Sequence, residues 1–138
     1  MSNRLSRRKH ARLIKYYLEG ASSDLLQLTP RLFEERFRHE RGIYALYKDS
    51  ELYYIGLTKT LAGRLENHMK DHHAKKWNRF SVYVLRQRRY LKPVESLMLT
   101  VAKPTGNERT GRLPRGASLK PLFKQELSKL KRSIKEAV

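Results

Sequence analysis

The fold is decided by residues 42–56, which read GIYALYKDSELYYIG. Apolar and aromatic side chains dominate residues 42–47 and 52–56, and a short polar turn around Asp49 separates the two runs. Two such runs joined by a short polar turn are typical of a β-hairpin. The ends of the stretch are mirror images in sequence, GIY and YIG, so pairing the two strands would bring like residues together.

This mirror symmetry predicts a register for the hairpin. With an odd-length loop centred on Asp49, Tyr44 pairs with Tyr54, Ile43 with Ile55 and Gly42 with Gly56. Directly opposed residues share a face of the sheet. The prediction therefore places both phenols on one side and both isoleucines in the core on the other. A slip of one residue would separate the tyrosines, since successive side chains alternate between faces.

The first forty residues have a helical pattern. Apolar residues four apart at positions 13, 14, 17 and 18 predict a first helix, with Gly20 as its C-cap. Thr29 and Pro30 then predict the start of a second helix, with Thr29 as N-cap and Pro30 in the first helical position. Its apolar side would consist of Leu32, Phe33 and Phe37.

The pattern after the hairpin predicts a helix, a strand and a second helix. Residues 60–71 place Leu61, Leu65 and Met69 on one helical stripe, and residues 80–85 alternate as a strand does. Pro93 would open the next helix, which ends at Lys103-Pro104. The expected fold class is α+β: a small, mostly antiparallel, three-stranded sheet in the order β-β-α-β-α, flanked by N- and C-terminal helices.

Residues 103–116 are expected to be a loop, and the C-terminal segment has a helical apolar stripe. The stripe consists of Phe123, Leu127, Leu130, Ile134 and Val138. Packing on the domain is favoured over dimerisation, because the segment is short for an isolated coiled coil. Three parts are therefore predicted: a basic helical extension (1–40), a central domain (41–110) and a basic loop and helix (111–138).

Composition restricts the function. The 138 residues contain 31 Lys and Arg against 13 Asp and Glu, a net charge of +18, and the pI is about 10.5. This excess favours a polyanionic partner, because neutralised phosphates release counterions, over a merely solvated basic exterior. Cysteine is absent, which excludes disulfides and thiolate metal sites. Without a run long enough for a membrane helix or a secretory signal, the expectation is a soluble cytoplasmic protein, nucleoid-associated if prokaryotic.

The two tripeptides GIY and YIG, at residues 42–44 and 54–56, resemble the signature of the GIY-YIG nuclease family. Further polar residues follow in the order in which that family places its site residues: Arg64, His68, Glu95 and Asn107. The resemblance covers roughly residues 41–110. Both tripeptides on predicted strands, followed by these residues in the expected elements, are a specific signal, whereas either tripeptide alone would be weak.

The local positions of these residues suit the family's chemistry. Arg64 and His68 are four apart and share a helical face, and Arg can grip two phosphate oxygens. Glu95 is expected in the first turn after Pro93, where the helix dipole favours an ionised carboxylate. A helix-stabilising acid would look the same there, so the resemblance decides in favour of a metal ligand. Asn107 is in a turn, where Asn is common.

The resemblance implies a divalent-metal-dependent endonuclease that hydrolyses phosphodiester bonds in DNA, with RNA left open. Glu95 would hold one Mg²⁺ or Mn²⁺ and Arg64 would stabilise the transition state. Tyr44 would orient or deprotonate the attacking water, Tyr54 would position the water or the phosphate, and His68 would assist Tyr44. Asn107 would support the site.

Several alternatives remain open at this stage. A non-catalytic nucleic-acid-binding module with the same fold is the main one, and a basic protein that binds RNA or ribosomes is another. A structural zinc site at His68, His72 and His73 is disfavoured without cysteine, and His72 and His73 are expected near a helix end. No membrane partner is expected, and the chain is a monomer or a homodimer. The predicted nucleic-acid contacts are Arg7, Arg8, Lys9, Arg12, Lys59, Lys75, Lys76, Arg109 and Arg112.

Overall fold

The computed structural model describes residues 12–108 and 116–137. Four antiparallel strands in this part of the chain form one sheet: β1 (Ile14–Ser22), β2 (Gly42–Lys48), β3 (Glu51–Thr58) and β4 (Arg79–Leu85). The helices are α1 (Asp24–Leu28), α2 (Pro30–Phe37), α3 (Leu61–His68), α4 (Leu91–Ala102) and α5 (Lys120–Glu136). A 3₁₀ turn, Arg88–Tyr90, precedes α4. The strand order is β1-β4-β2-β3, so β3 is an edge strand. The fold class is α+β, as predicted.

The strand β1 corrects the first predicted helix. Residues 14–22 pair antiparallel with β4, and Tyr17 lies opposite Tyr83. Gly20 has a φ of +61° and lies where the ladder is irregular, so it caps no helix. The spacing of the apolar residues also fitted a helix. However, Ile14 and two consecutive tyrosines suit a strand, and pairing with the free edge of β4 overrides the local pattern. The sheet therefore has four strands rather than three.

The second predicted helix is confirmed at its start, with Thr29 in the N-cap position and Pro30 at the beginning of α2. Phe33 and Phe37 are buried, with ring centroids 4.6 Å apart. Leu32 is 54% exposed, so its assignment to the apolar side is wrong.

The hairpin is confirmed, but its predicted register is wrong by two positions. Lys48 pairs with Glu51 around a two-residue turn, whereas further along Tyr44 pairs with Gly56. The ladder shifts beyond Leu46, where Tyr53 forms a bulge. A two-residue turn alone would have put the two signature tyrosines on opposite faces. The extra residue in β3 restores the alternation.

The two faces of the sheet are therefore occupied as predicted. Tyr44 and Tyr54 belong to the cluster on the face that also holds Leu61 and Leu65 of α3. Ile43 and Ile55 lie on the other face, packed with Leu91 and Leu99 of α4. The side chains of Tyr44 and Tyr54 thus lie on the face of the sheet that α3 covers.

The helix α4 begins earlier than predicted. It starts at Leu91, directly after the 3₁₀ turn, so Pro93 lies within its first turn. Proline is tolerated there because the first backbone N–H groups of a helix have no intrahelical partner. Glu95 is consequently in the second turn, and its predicted place in the first turn is wrong. Lys103, in the left-handed conformation with a φ of 45°, ends the helix.

The helix α5 forms as predicted, but its apolar stripe is not buried. Phe123, Leu127, Leu130 and Ile134 are 53–66% exposed, so the predicted packing on the domain is not found. Val138 lies outside the described residues. Among the described residues, no helix combines the length and the apolar character needed to cross a bilayer.

Candidate active site

A cavity of about 360 Å³ opens between β3, α3 and α4. Five of the six predicted catalytic residues line it: Tyr54, Arg64, His68, Glu95 and Asn107. The sixth, Tyr44, is fully buried and lies directly behind this lining. The tertiary fold therefore brings together residues from five separate segments of the chain: β2, β3, α3, α4 and the turn after α4.

Tyr44 is held between two side chains of α3. Its hydroxyl lies 2.6 Å from Nε2 of His68, and Nε of Arg64 donates to the same oxygen over 3.4 Å. The ring of Tyr54 stacks against it, with centroids 5.9 Å apart. Burial raises the pKa of Tyr44 well above the ordinary phenol value, and the guanidinium of Arg64 only partly opposes this. In this environment the phenol keeps its proton.

Asp71 is the side chain that completes this arrangement, and it was not among the predicted site residues. Its Oδ2 lies 2.9 Å from Nδ1 of His68, so Tyr44, His68 and Asp71 form one hydrogen-bonded chain. The sequence signal was a carboxylate three positions after a histidine. It is weak, because acids are common at helix ends.

The chain of hydrogen bonds determines the tautomer of His68. An ionised carboxylate only accepts, so Nδ1 carries the proton and Nε2 accepts from the hydroxyl of Tyr44. Burial lowers the pKa of His68, and the charge of Asp71 opposes this. Burial disfavours the charged form of Asp71, yet hydrogen bonds from the backbone N–H of His73 and from His68 keep its pKa below the ordinary value. The imidazole of His68 is therefore neutral near pH 7, and its unprotonated Nε2 is directed at the hydroxyl of Tyr44.

A second hydrogen bond ties the hairpin to the same loop. The hydroxyl of Tyr53 lies 2.7 Å from Nδ1 of His73, whose backbone N–H donates to Asp71 over 2.8 Å. His73 is buried and its ring lies 4.8 Å from that of Tyr54. Tyr53 packs against the buried cluster on this face of the sheet. It also anchors the loop that carries Asp71.

Glu95 offers a carboxylate to the cavity. It is half-buried, and burial raises its pKa while the charge of Lys92 opposes the shift. Among the described residues it has no hydrogen bond or ion pair. Hard divalent cations accept one or two carboxylates with water as the remaining ligands. Glu95 fits such a cation as a lone protein ligand. No group of three or more His, Cys, Asp or Glu in the described part of the chain could hold a metal.

Asn107 is engaged with the backbone of β3. Its Oδ1 accepts from the N–H of Ile55 over 2.9 Å, and its Nδ2 donates to the carbonyl of Ile55 over 2.7 Å. The backbone N–H of Gly106 donates to the carbonyl of Tyr53 over 2.7 Å. The turn after α4 is thus bonded to the edge strand that carries Tyr54. Asn107 lines the cavity, but its amide is used to hold the backbone.

The predicted nucleic-acid contacts are scattered. Arg12, Lys59, Lys75 and Lys76 are exposed, and of these only Lys59 lines a cavity next to the site. Arg7, Arg8, Lys9, Arg109 and Arg112 lie outside the described residues. Three further cations next to the site were not predicted: Arg41, Arg88 and Lys92. Arg88 and Lys92 belong to one basic stretch, residues 86–92, whereas Arg41 comes from a distant segment, so only the fold brings the three together.

The chain is similar to crystal structures of the GIY-YIG N-terminal endonuclease domain of UvrC from Thermotoga maritima. A point mutant bound to its catalytic divalent cation is 18% identical, with a TM-score of 0.48 over 57% of this chain and 98% of that one. The magnesium-bound domain is 17% identical, with a TM-score of 0.47 over 56% and 97%. The search of curated proteins found no match. The family model of the GIY-YIG catalytic domain matches residues 40–104. The chain therefore carries, at residues 40–104, a domain of the GIY-YIG family.

Proposed function

We propose that this protein is a divalent-metal-dependent endonuclease that hydrolyses phosphodiester bonds in DNA. The observation that supports it most directly is the shared cavity, which Glu95, Arg64 and Tyr54 all line. In such a reaction a carboxylate can hold the cation, a guanidinium can bind phosphate oxygens, and a phenol can orient the attacking water or transfer its proton. The net charge of +18 suits a polyanionic substrate.

Glu95 would hold the cation, with water and phosphate oxygens as its other ligands. Once bound, a divalent cation neutralises charge on the phosphate and on the leaving oxygen. Glu95 is suited to this because its carboxylate has no competing partner among the described residues.

Arg64 would bind the phosphate from the side of α3. Its contact with Tyr44 is long, at 3.4 Å, and weak for a hydrogen bond. The guanidinium can therefore turn towards a phosphate, where its fork matches two oxygens and stabilises the charge of the transition state. Its departure would leave one side of the Tyr44 hydroxyl open to the attacking water.

Tyr44 would then accept the proton of the attacking water. Because burial raises the pKa of Tyr44, deprotonating this phenol to a phenolate before the reaction is unfavourable. A relay avoids it: the water oxygen bonds to phosphorus, its proton passes to the oxygen of Tyr44, and the phenol proton passes to Nε2 of His68. The bond to the leaving oxygen breaks, and that oxygen takes a proton from solvent. Tyr54, stacked on Tyr44, orients the water or the phosphate.

The direct test is cleavage of supercoiled plasmid by the full chain with Mg²⁺ or Mn²⁺ and with EDTA. Glu95→Gln should abolish cleavage while DNA binding, measured by fluorescence anisotropy in EDTA, is retained. Glu66→Gln, an exposed acid on α3, is the matched control and should cut normally. Binding without cleavage by the wild-type protein would identify a non-catalytic module, and undiminished cutting by Glu95→Gln would remove Glu95 from the mechanism.

A further inference from the structure

A second cavity, of about 590 Å³, adjoins the candidate active site. Arg64 and Leu57 line both cavities. The larger one is lined by five cationic side chains and no acidic one. The cations are Arg41, Lys59, Arg64, Arg88 and Lys92.

None of these cations forms a salt bridge within the described residues. The ion pairs found there join Lys15 to Glu40, Arg38 to Glu34 and His68 to Asp71, so none involves the second cavity. Like charges gathered without a counter-charge repel one another, and a bound polyanion would relieve this. The walls also offer Thr58 and Asn67, polar groups that can donate to phosphate oxygens.

The charge of the site is strongly one-sided. The lining of the smaller cavity contains three acids, Asp71, Glu95 and Glu108, with Arg64 as its single Lys or Arg. Among the described residues, cationic side chains therefore extend from Arg64 along the second cavity, whereas acidic side chains line the candidate active site. A third cavity, of about 160 Å³, shares Arg41 and Arg88 with the second and adds Arg86. Glu40 also lines this third cavity, but its carboxylate is paired with Lys15. The basic path thus leads away from Arg64 in one direction.

We infer that the second cavity is a binding groove for the phosphates of the substrate strand on one side of the cleaved bond. The inference rests on the proposed function and adds to it the side of the cleaved bond on which the substrate strand is held. Arg64 would contact the phosphate at the reacting centre, and Arg88 and Arg41 would contact the next phosphates along the same strand. Among the described residues, the acidic side of the site has no equivalent row of cations in its lining.

The experiment compares two double variants with equal loss of charge. Arg41→Gln with Arg88→Gln removes two cations from the groove. Arg31→Gln with Arg36→Gln removes two exposed cations from α2 and is the control. Lys92 is left unchanged because its charge affects the pKa of Glu95.

Binding is measured first, by anisotropy of labelled duplex in EDTA between 50 and 200 mM salt. Loss of two phosphate contacts reduces the log–log salt slope by about 1.8, so the wild type should lose about twelvefold more affinity over this range than the groove variant. The α2 control should keep the wild-type slope. Equal slopes for the groove variant and the wild type would overturn the inference.

Cleavage then tests the direction. Once the cut in a test oligonucleotide is mapped, substrates are shortened from either end and kcat/KM is measured. Removing nucleotides from one side of the cut should lower the kcat/KM of the wild type by raising KM. It should hardly change the kcat/KM of the groove variant, because the phosphate contacts of Arg41 and Arg88 are already lost. Fully additive losses would overturn the inference. Failure of the wild type to cut anything would instead contradict the proposed function, and the salt slopes would still test the groove.

Discussion

Gly56 lies directly opposite Tyr44 in the β2–β3 ladder, and the ring of Tyr44 fills the space that a side chain at position 56 would need. A Cβ built on Gly56 would come within 2.2 Å of Cζ and 2.3 Å of the hydroxyl oxygen of Tyr44. The last residue of one signature tripeptide therefore makes room for the last residue of the other. Because glycine leaves this space free, the register can place the Tyr44 ring opposite position 56.

Gly56→Ala is expected to displace the Tyr44 ring and to lower both stability and cleavage. Overpacking of this kind typically costs about 1–3 kcal/mol of unfolding free energy. Gly63→Ala is the control, because a Cβ on Gly63 meets only a hydroxyl 4.0 Å away. In the helix α3 it should stabilise the protein by about 0.5–1 kcal/mol. Urea denaturation of both variants measures the difference. Equal stabilities would contradict the close contact.

Tyr44→Phe should reduce kcat by about 10²- to 10⁴-fold, the usual contribution of a positioned proton-transfer group. It removes the hydroxyl that His68 binds and leaves the ring stacked on Tyr54. Tyr17→Phe is the control, since Tyr17 is exposed at the other edge of the sheet. Single-turnover cleavage with circular dichroism separates a chemical defect from misfolding. A wild-type rate would exclude Tyr44 from the proton path.

Asp71→Asn is expected to lower kcat and to change its pH dependence. The charge of Asp71 raises the pKa of His68, so its removal lowers that pKa further. Because His68 must be neutral to accept the phenol proton, activity is lost as pH falls through this pKa. The acid limb of the pH–rate profile should therefore move to lower pH in the variant.

The matched control for Asp71→Asn is Asp24→Asn, an exposed acid in the first turn of α1. It should leave the rate and the acid limb unchanged. ¹H–¹⁵N correlation spectra of the His68 ring can report its pKa and tautomer directly. A reduced rate with an unmoved acid limb and the same tautomer would assign Asp71 a purely structural role.

Asn107→Ala should loosen the edge strand β3 at Ile55. It removes both hydrogen bonds of the amide, at a cost of about 1–3 kcal/mol. Hydrogen exchange of the Ile55 amide should accelerate, whereas amides of the central strand β4 should stay protected. A large loss of kcat with unchanged exchange at Ile55 would show instead that Asn107 acts on the reacting groups.

Local patterns predicted the elements whose signals are strong and short in range. The hairpin, the start of α2 and the strand β4 are encoded by turn residues and by alternation. Where one sequence pattern fits both a helix and a strand, the prediction of secondary structure was wrong. Apolar residues four apart around Tyr17 suited a helix as well as a strand, and only the available edge of β4 decides between them.

The sequence by itself determined which residues could form a site, and through alternation it determined which side chains within one regular strand share a face. The tertiary structure decided the rest: the bulge at Tyr53 that sets the register, the hydrogen bond from His68 to Asp71, and the row of cations beside Arg64. Alternation is local, because each residue follows from its neighbour along the strand. Pairing and convergence depend on contacts between distant segments, which no short stretch of sequence contains.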